Sequence, residues 1–149
     1  MKSILFILIV SSVLFTSCKN EAKTTNNVET VQKISSADTL QLTFNKGDKW
    51  LVNAETHEGV KNMEAIINQF NSENSENYKE LGDKLSKQTS YVIKNCTMTG
   101  EPHDQLHVVL VPMLDEISAL RESNNLIMAK ASLSNLEELI QAYFKHFNL

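Results

Sequence analysis

The segment Asn95 to His107, NCTMTGEPHDQLH, gathers Cys96, Met98, His103 and His107 around Gly100 and Pro102. Thiolate and imidazole are strong ligands for late transition metals. Thiolate with thioether favours Cu(I), and Cys with His equally suits Zn(II). His103 and His107 are four residues apart, so on a helix their rings share a face and can serve one ion. Cys96 and Met98 would bring sulfur from a neighbouring helix end. Glu101 and Asp104 would act as outer acceptors that orient an imidazole. His57 is a further candidate ligand, and His146 a more distant one. The competing reading is structural. A helix N-terminus disfavours a charged histidine, so neutral rings there can plug a bundle end, and free cysteine is often a small buried hydrophobe.

Whether these donors meet depends on the elements that carry them. The stripe Val60, Met63, Ile67, Phe70 predicts a first helix from about Ala54 to Asn71. The polar run NSENSEN breaks it. Leu81, Leu85, Thr89, Val92 and Cys96 predict a second helix from about Glu76 to Thr97, with Gly100 as its stop. Pro102 suits the first turn of a third helix, which carries Leu106, Leu110, Met113, Ile117 and Leu120, with a kink expected at Pro112. After ESNN, a fourth helix keeps its three-four rhythm through Leu126, Ala129, Leu133, Leu136, Ile140, Tyr143 and Phe147. Met63, Met113 and Met128 are assigned to the core. Ahead of the helices, residues 39–53 form an extended lead-in or short hairpin around Asn45-Lys46-Gly47-Asp48, and Trp50 is expected to lid the bundle.

Four amphipathic helices with short joints predict an all-α fold: an antiparallel up-and-down four-helix bundle over residues 54–149 with a short extended N-terminal lead-in. That topology collects the starts of helices 1 and 3 and the ends of helices 2 and 4. His57, Cys96, Met98, His103, His107 and His146 then all land at one end. The face His107, Leu110, Leu114, Ile117 is expected to point inward, as is Cys96, whereas His146 is off the main stripe of its helix.

The first residues set an address. Lys2, the apolar run Ile4 to Phe15 and the small Thr16-Ser17 precede Cys18. A dozen apolar residues are too few to cross about 30 Å of hydrocarbon, so residues 1–17 read as an export signal. The cysteine after the small pair resembles the lipobox of bacterial lipoproteins, with Phe15 where Leu is usual. The resemblance implies cleavage before Cys18 and its acylation, which anchors a chain without spanning the membrane. Residues 18–38 hold almost no large apolar side chains and read as a disordered tether. With two cysteines in all and Cys18 acylated, Cys96 is a lone thiol in an exported chain. The net charge is −4 with no basic run, which excludes nucleic acid as the expected partner.

The stretch KGDKWLVNAETHEGVKNM, followed by NCTMTGEPHDQLH, resembles a family of small exported proteins and lipoproteins of Bacteroidota. The likeness covers about Leu42 to Ile117, is most specific from Cys96 to His107, and implies no activity. The predicted architecture also resembles periplasmic four-helix proteins such as cytochrome b562 and copper-handling bundles, as an analogy of fold alone.

The function expected is a membrane-anchored periplasmic lipoprotein holding copper, or zinc, at one end of the bundle through Cys96, His103, His107, Met98 and His57. A b-type haem protein is the first alternative, with His57 or Met63 paired to His146; no Cys-x-x-Cys-His is present for covalent haem. A non-catalytic module docking a protein partner is the second. No Ser-His-Asp arrangement or phosphate loop is visible, so no enzyme is expected.

Overall fold

A computed structural model describes residues 40–149. The expected export signal, lipidated Cys18 and tether lie outside the described residues. Four helices make up the domain: α1 (Ala54–Ser72), α2 (Tyr78–Asn95), α3 (Glu101–Glu122) and α4 (Leu126–His146). Each packs on the next in an antiparallel up-and-down bundle. None of the described helices is long and apolar enough to cross a membrane.

Polar side chains cap the starts of α2 and α4. Asn77 Oδ1 accepts from the Glu80 backbone N–H at 3.2 Å, and Asn77 Nδ2 donates to the Glu80 carboxylate at 2.9 Å. Asn125 Oδ1 accepts from the N–H groups of Ile127 and Met128. Each satisfies donors that a first turn leaves without a helical partner. One buried stripe per helix then fills the interior, from Val60, Met63 and Ile67 on α1 to Leu136, Ile140 and Tyr143 on α4. Thr89 occupies the gap in the α2 stripe, and its hydroxyl is satisfied by the Ser86 carbonyl.

Side-chain bonds tie every neighbouring pair: Tyr91 to Glu58 between α1 and α2, Arg121 to Asp83 at 2.8 Å between α2 and α3, Asn135 to Glu116 between α3 and α4. Asn71 to Glu137 at 2.8 Å closes the ring between α1 and α4.

Among the described residues the lead-in is extended, with a tight turn as its hairpin feature. Asn45 and Asp48 exchange both backbone bonds, with Lys46 and Gly47 at φ of 54° and 102°. Positive φ at both central residues is what a primed turn requires. The chain then forms β1 (Trp50–Leu51), which pairs in parallel with β2 (Phe147–Asn148) after α4. Phe147, expected as a helical residue, is in that strand and 1% exposed. Trp50 does lid the core, 4% exposed, donating its indole N–H to the Thr43 carbonyl at 2.7 Å.

Several expectations are corrected. Helix α2 ends at Asn95, so Cys96 is the first extended residue beyond it, half-buried instead of inward on a helix. The Asn95 carbonyl is taken by Asn53 Nδ2 at 3.0 Å, so the chain leaves the helix there. Gly100, at φ 66°, opens α3 and is not the stop of α2. His107 is exposed and Leu114 half-buried, because the interior face of α3 runs through Leu106, Val109, Leu110, Met113 and Ile117. Met128 is 65% exposed and outside the core. His146, expected off the stripe, is buried. Pro112 lies inside α3, as the predicted third helix has it.

Candidate functional site

The candidate donors sit at one end of the bundle but on two different seams. On the α2–α3 seam, Cys96 caps the end of α2 and His103 stands in the first turn of α3. Cys96 Sγ lies 3.6 Å from His103 Nδ1. The rings of His103 and His107 are 4.4 Å apart, centroid to centroid, as residues four apart on a helix allow. Met98, in the five-residue joint, is half-buried and packs against the core.

Three polar ties hold this joint. Asn53, the N-cap of α1, grips the last carbonyl of α2 and also accepts from the buried Thr56 hydroxyl at 2.7 Å. Asn95 Nδ2 donates back to the Tyr91 carbonyl at 2.8 Å. Gln105, on the first turns of α3, accepts from the Thr43 backbone N–H at 2.8 Å and binds the lead-in to the same end. These positioning residues were missed at the level of sequence. Asn53 was legible as a cap before a helical run, but its second bond crosses to another helix and leaves no local signal.

On the α1–α4 seam, His57 Nδ1 is 3.3 Å from the Tyr143 hydroxyl, and its ring meets Phe144 edge-on at 5.7 Å. Partial burial lowers the His57 pKa, and the charges of Lys61 and Lys49 push in the same direction. The ring is therefore neutral at pH 7. Lys49 is itself held by the Phe144 carbonyl at 2.7 Å. Burial raises the pKa of Tyr143 well above the ordinary tyrosine value, so its hydroxyl keeps its proton. His146 bonds the Ala142 carbonyl through Nδ1 at 2.8 Å and lies under Phe44, with ring centroids 4.5 Å apart. His57 and His146 thus engage aromatic and backbone partners of their own, and neither is bonded to Cys96 or His103.

The spacing at the α2–α3 joint has a chemical meaning. On a tetrahedral ion, a thiolate sulfur at about 2.3 Å and an imidazole nitrogen at about 2.0–2.1 Å are separated by about 3.6 Å. Cys96 and His103 stand at that separation, which also suits a weak S–H···N bond. Among the described residues, no three His, Cys, Asp or Glu side chains stand together as a group able to hold an ion. The joint offers a preformed pair and an exposed imidazole beside it. Of the residues considered for an axial haem pair, Met63 is fully buried in the core.

Comparison with protein-family models, with curated proteins and with solved structures gives no match to this chain.

Proposed function

We propose that this chain is a lipid-anchored envelope protein that binds a soft transition-metal ion, Cu(I) or Zn(II), at the α2–α3 joint. Cys96 and His103 are the primary ligands, His107 supplies a second imidazole, and Met98 is a nearby thioether. The observation that carries this reading is the 3.6 Å separation of Cys96 Sγ and His103 Nδ1 across the α2–α3 joint. The export signal, Cys18 and the likeness to exported lipoproteins of Bacteroidota support the address, and Cys18 would carry the acyl anchor. The role is non-catalytic: a buffer, chaperone or sensor. His57 is left out of the ligand set because its Nδ1 faces Tyr143 on the other seam.

Anaerobic titration with Cu(I) against a competing chelator, repeated with Zn(II), tests it. Removing a second-shell partner commonly weakens metal binding by about 10–100-fold, so Cys96→Ser and His103→Ala should each lose at least about tenfold. His57→Ala should bind as the unaltered protein does. Equal affinity in all three variants would remove the reading.

One observation favours a second reading, a protein-docking module. The first turn of α4 exposes Leu126, Ile127 and Met128 beside a groove of about 570 Å³ at the opposite end of the bundle. Crosslinking in the envelope through a photoreactive residue at Ile127 would capture a single partner on this reading.

A further inference from the structure

We propose that the ion is shared by two copies of the chain, joined across the α2–α3 joint. This rests on the metal reading above and adds what completes the coordination shell. A closed structural or buffering site for these metals takes up to four protein donors. The joint presents two at ligand spacing, Cys96 Sγ and His103 Nδ1. No third His, Cys, Asp or Glu completes a group among the described residues. His107 is turned to solvent beside them. One protomer therefore holds two donors at ligand spacing, with Met98 nearby and its next imidazole facing out.

A two-fold axis repairs that deficit with no new chemistry. Isologous pairing brings the same patch of both copies together. Two Cys96 and two His103 make a tetrahedral set of two sulfurs and two nitrogens, which suits zinc and is open to copper. His107 of each copy then lies within the interface, free to substitute for His103 or to hold it in place.

The surface around the joint fits this use. Ile93, three residues before Cys96, is 57% exposed, and Val111, four residues after His107, is 49% exposed. Val111 is four residues after His107 on α3 and so shares its side of that helix, and Ile93 is in the last turn of α2, just before Cys96. Both are apolar side chains left in water on the helices that flank the joint, as a contact surface would use. Two such residues per copy cover far less than the roughly 1,000 Å² that a stable metal-free interface needs. The pairing is accordingly metal-dependent, and the ion supplies most of its free energy.

The experiment is sedimentation of the exported chain, made with Cys18→Ser so that no acyl group drives association, in a non-thiol reductant. Cu(I) or Zn(II) is added from zero to one equivalent. The expected result is a monomer without metal, a doubled mass complete at half an equivalent, and reversal by chelator. Ile93→Glu with Val111→Glu should abolish the doubling while the Cys96–His103 pair still binds metal. Saturation at one ion per chain with unchanged mass would overturn the sharing and leave the metal reading intact. Absence of any binding would overturn both. Doubling that needs no metal would overturn the sharing as well.

Discussion

His57 shows how one side chain reports on a whole seam. Its pKa is lowered by burial and by Lys61 and Lys49. The folded protein therefore binds the proton less readily than the unfolded chain, whose value is near 6.5. Stability from this group is complete above about that value, falls as the pH drops through the lowered folded value, and then levels off. Thermal melts between pH 7 and pH 5 should show this loss, and His57→Gln should flatten it. An unchanged slope in the variant would mean that His57 is not the group concerned. At the same scale, the pairing of Cys96 with His103 was legible, because a joint of a few residues between antiparallel helices must bring its two ends together. The outward turn of His107 was not. A three-four stripe locates a face only to within one residue, and His107 adjoins the buried Leu106.

Helix contacts turn on two glycines. A glycine inside a helix is disfavoured by about 1 kcal/mol relative to alanine, so Gly59→Ala and Gly82→Ala should stabilise an isolated helix. Here a Cβ at Gly59 would collide with Val92 Cγ2. One at Gly82 would meet Arg121 Cγ at 2.6 Å, and also the Arg121 backbone nitrogen at 3.0 Å and the Ile117 carbonyl at 3.2 Å. Overpacking costs about 1–3 kcal/mol, enough to reverse the propensity gain. Chemical denaturation should find both substitutions destabilising. The two differ in rescue. Val92→Ala should offset much of the Gly59→Ala loss in a double-mutant cycle. Trimming Arg121 should offset only part of the loss at Gly82, where the Arg121 backbone nitrogen and the Ile117 carbonyl stay close once its Cγ is removed. The four helices were legible from period and caps. The close approach at these glycines was not, since nothing local distinguishes a glycine under a neighbouring helix from one in solvent.

At the largest scale, the described domain is latched where its lead-in meets the strand that follows α4. Phe147 stacks on Tyr143 with centroids 5.1 Å apart and an interplanar angle of 16°. Its strand pairs with Trp50–Leu51, and the Val52 N–H donates to the Asn148 carbonyl at 2.9 Å. Phe147→Ala should cost about 3–5 kcal/mol, as large aromatic truncations in cores do, and lower Tm by more than about 10 °C. Phe147→Leu should cost less than about 1.5 kcal/mol. A small shift for Phe147→Ala in a thermal melt would show the latch to be dispensable. This contact escaped the sequence reading because Phe147 continues the rhythm of α4 and looks like one more helical core position.

The sequence by itself determined what is local along one chain segment: the number and bounds of the helices to within a few residues, the polar caps, and which soft donors share an end. Tertiary structure decided the rest. It set the rotation of α3 that leaves His107 outside, the separation of the histidines onto two seams, the parallel pairing of Trp50–Leu51 with the C-terminus, and the exposure of Met128. Hydrophobic period constrains a helix about its own axis, but the height and rotation at which two helices meet follow from packing between residues far apart in sequence.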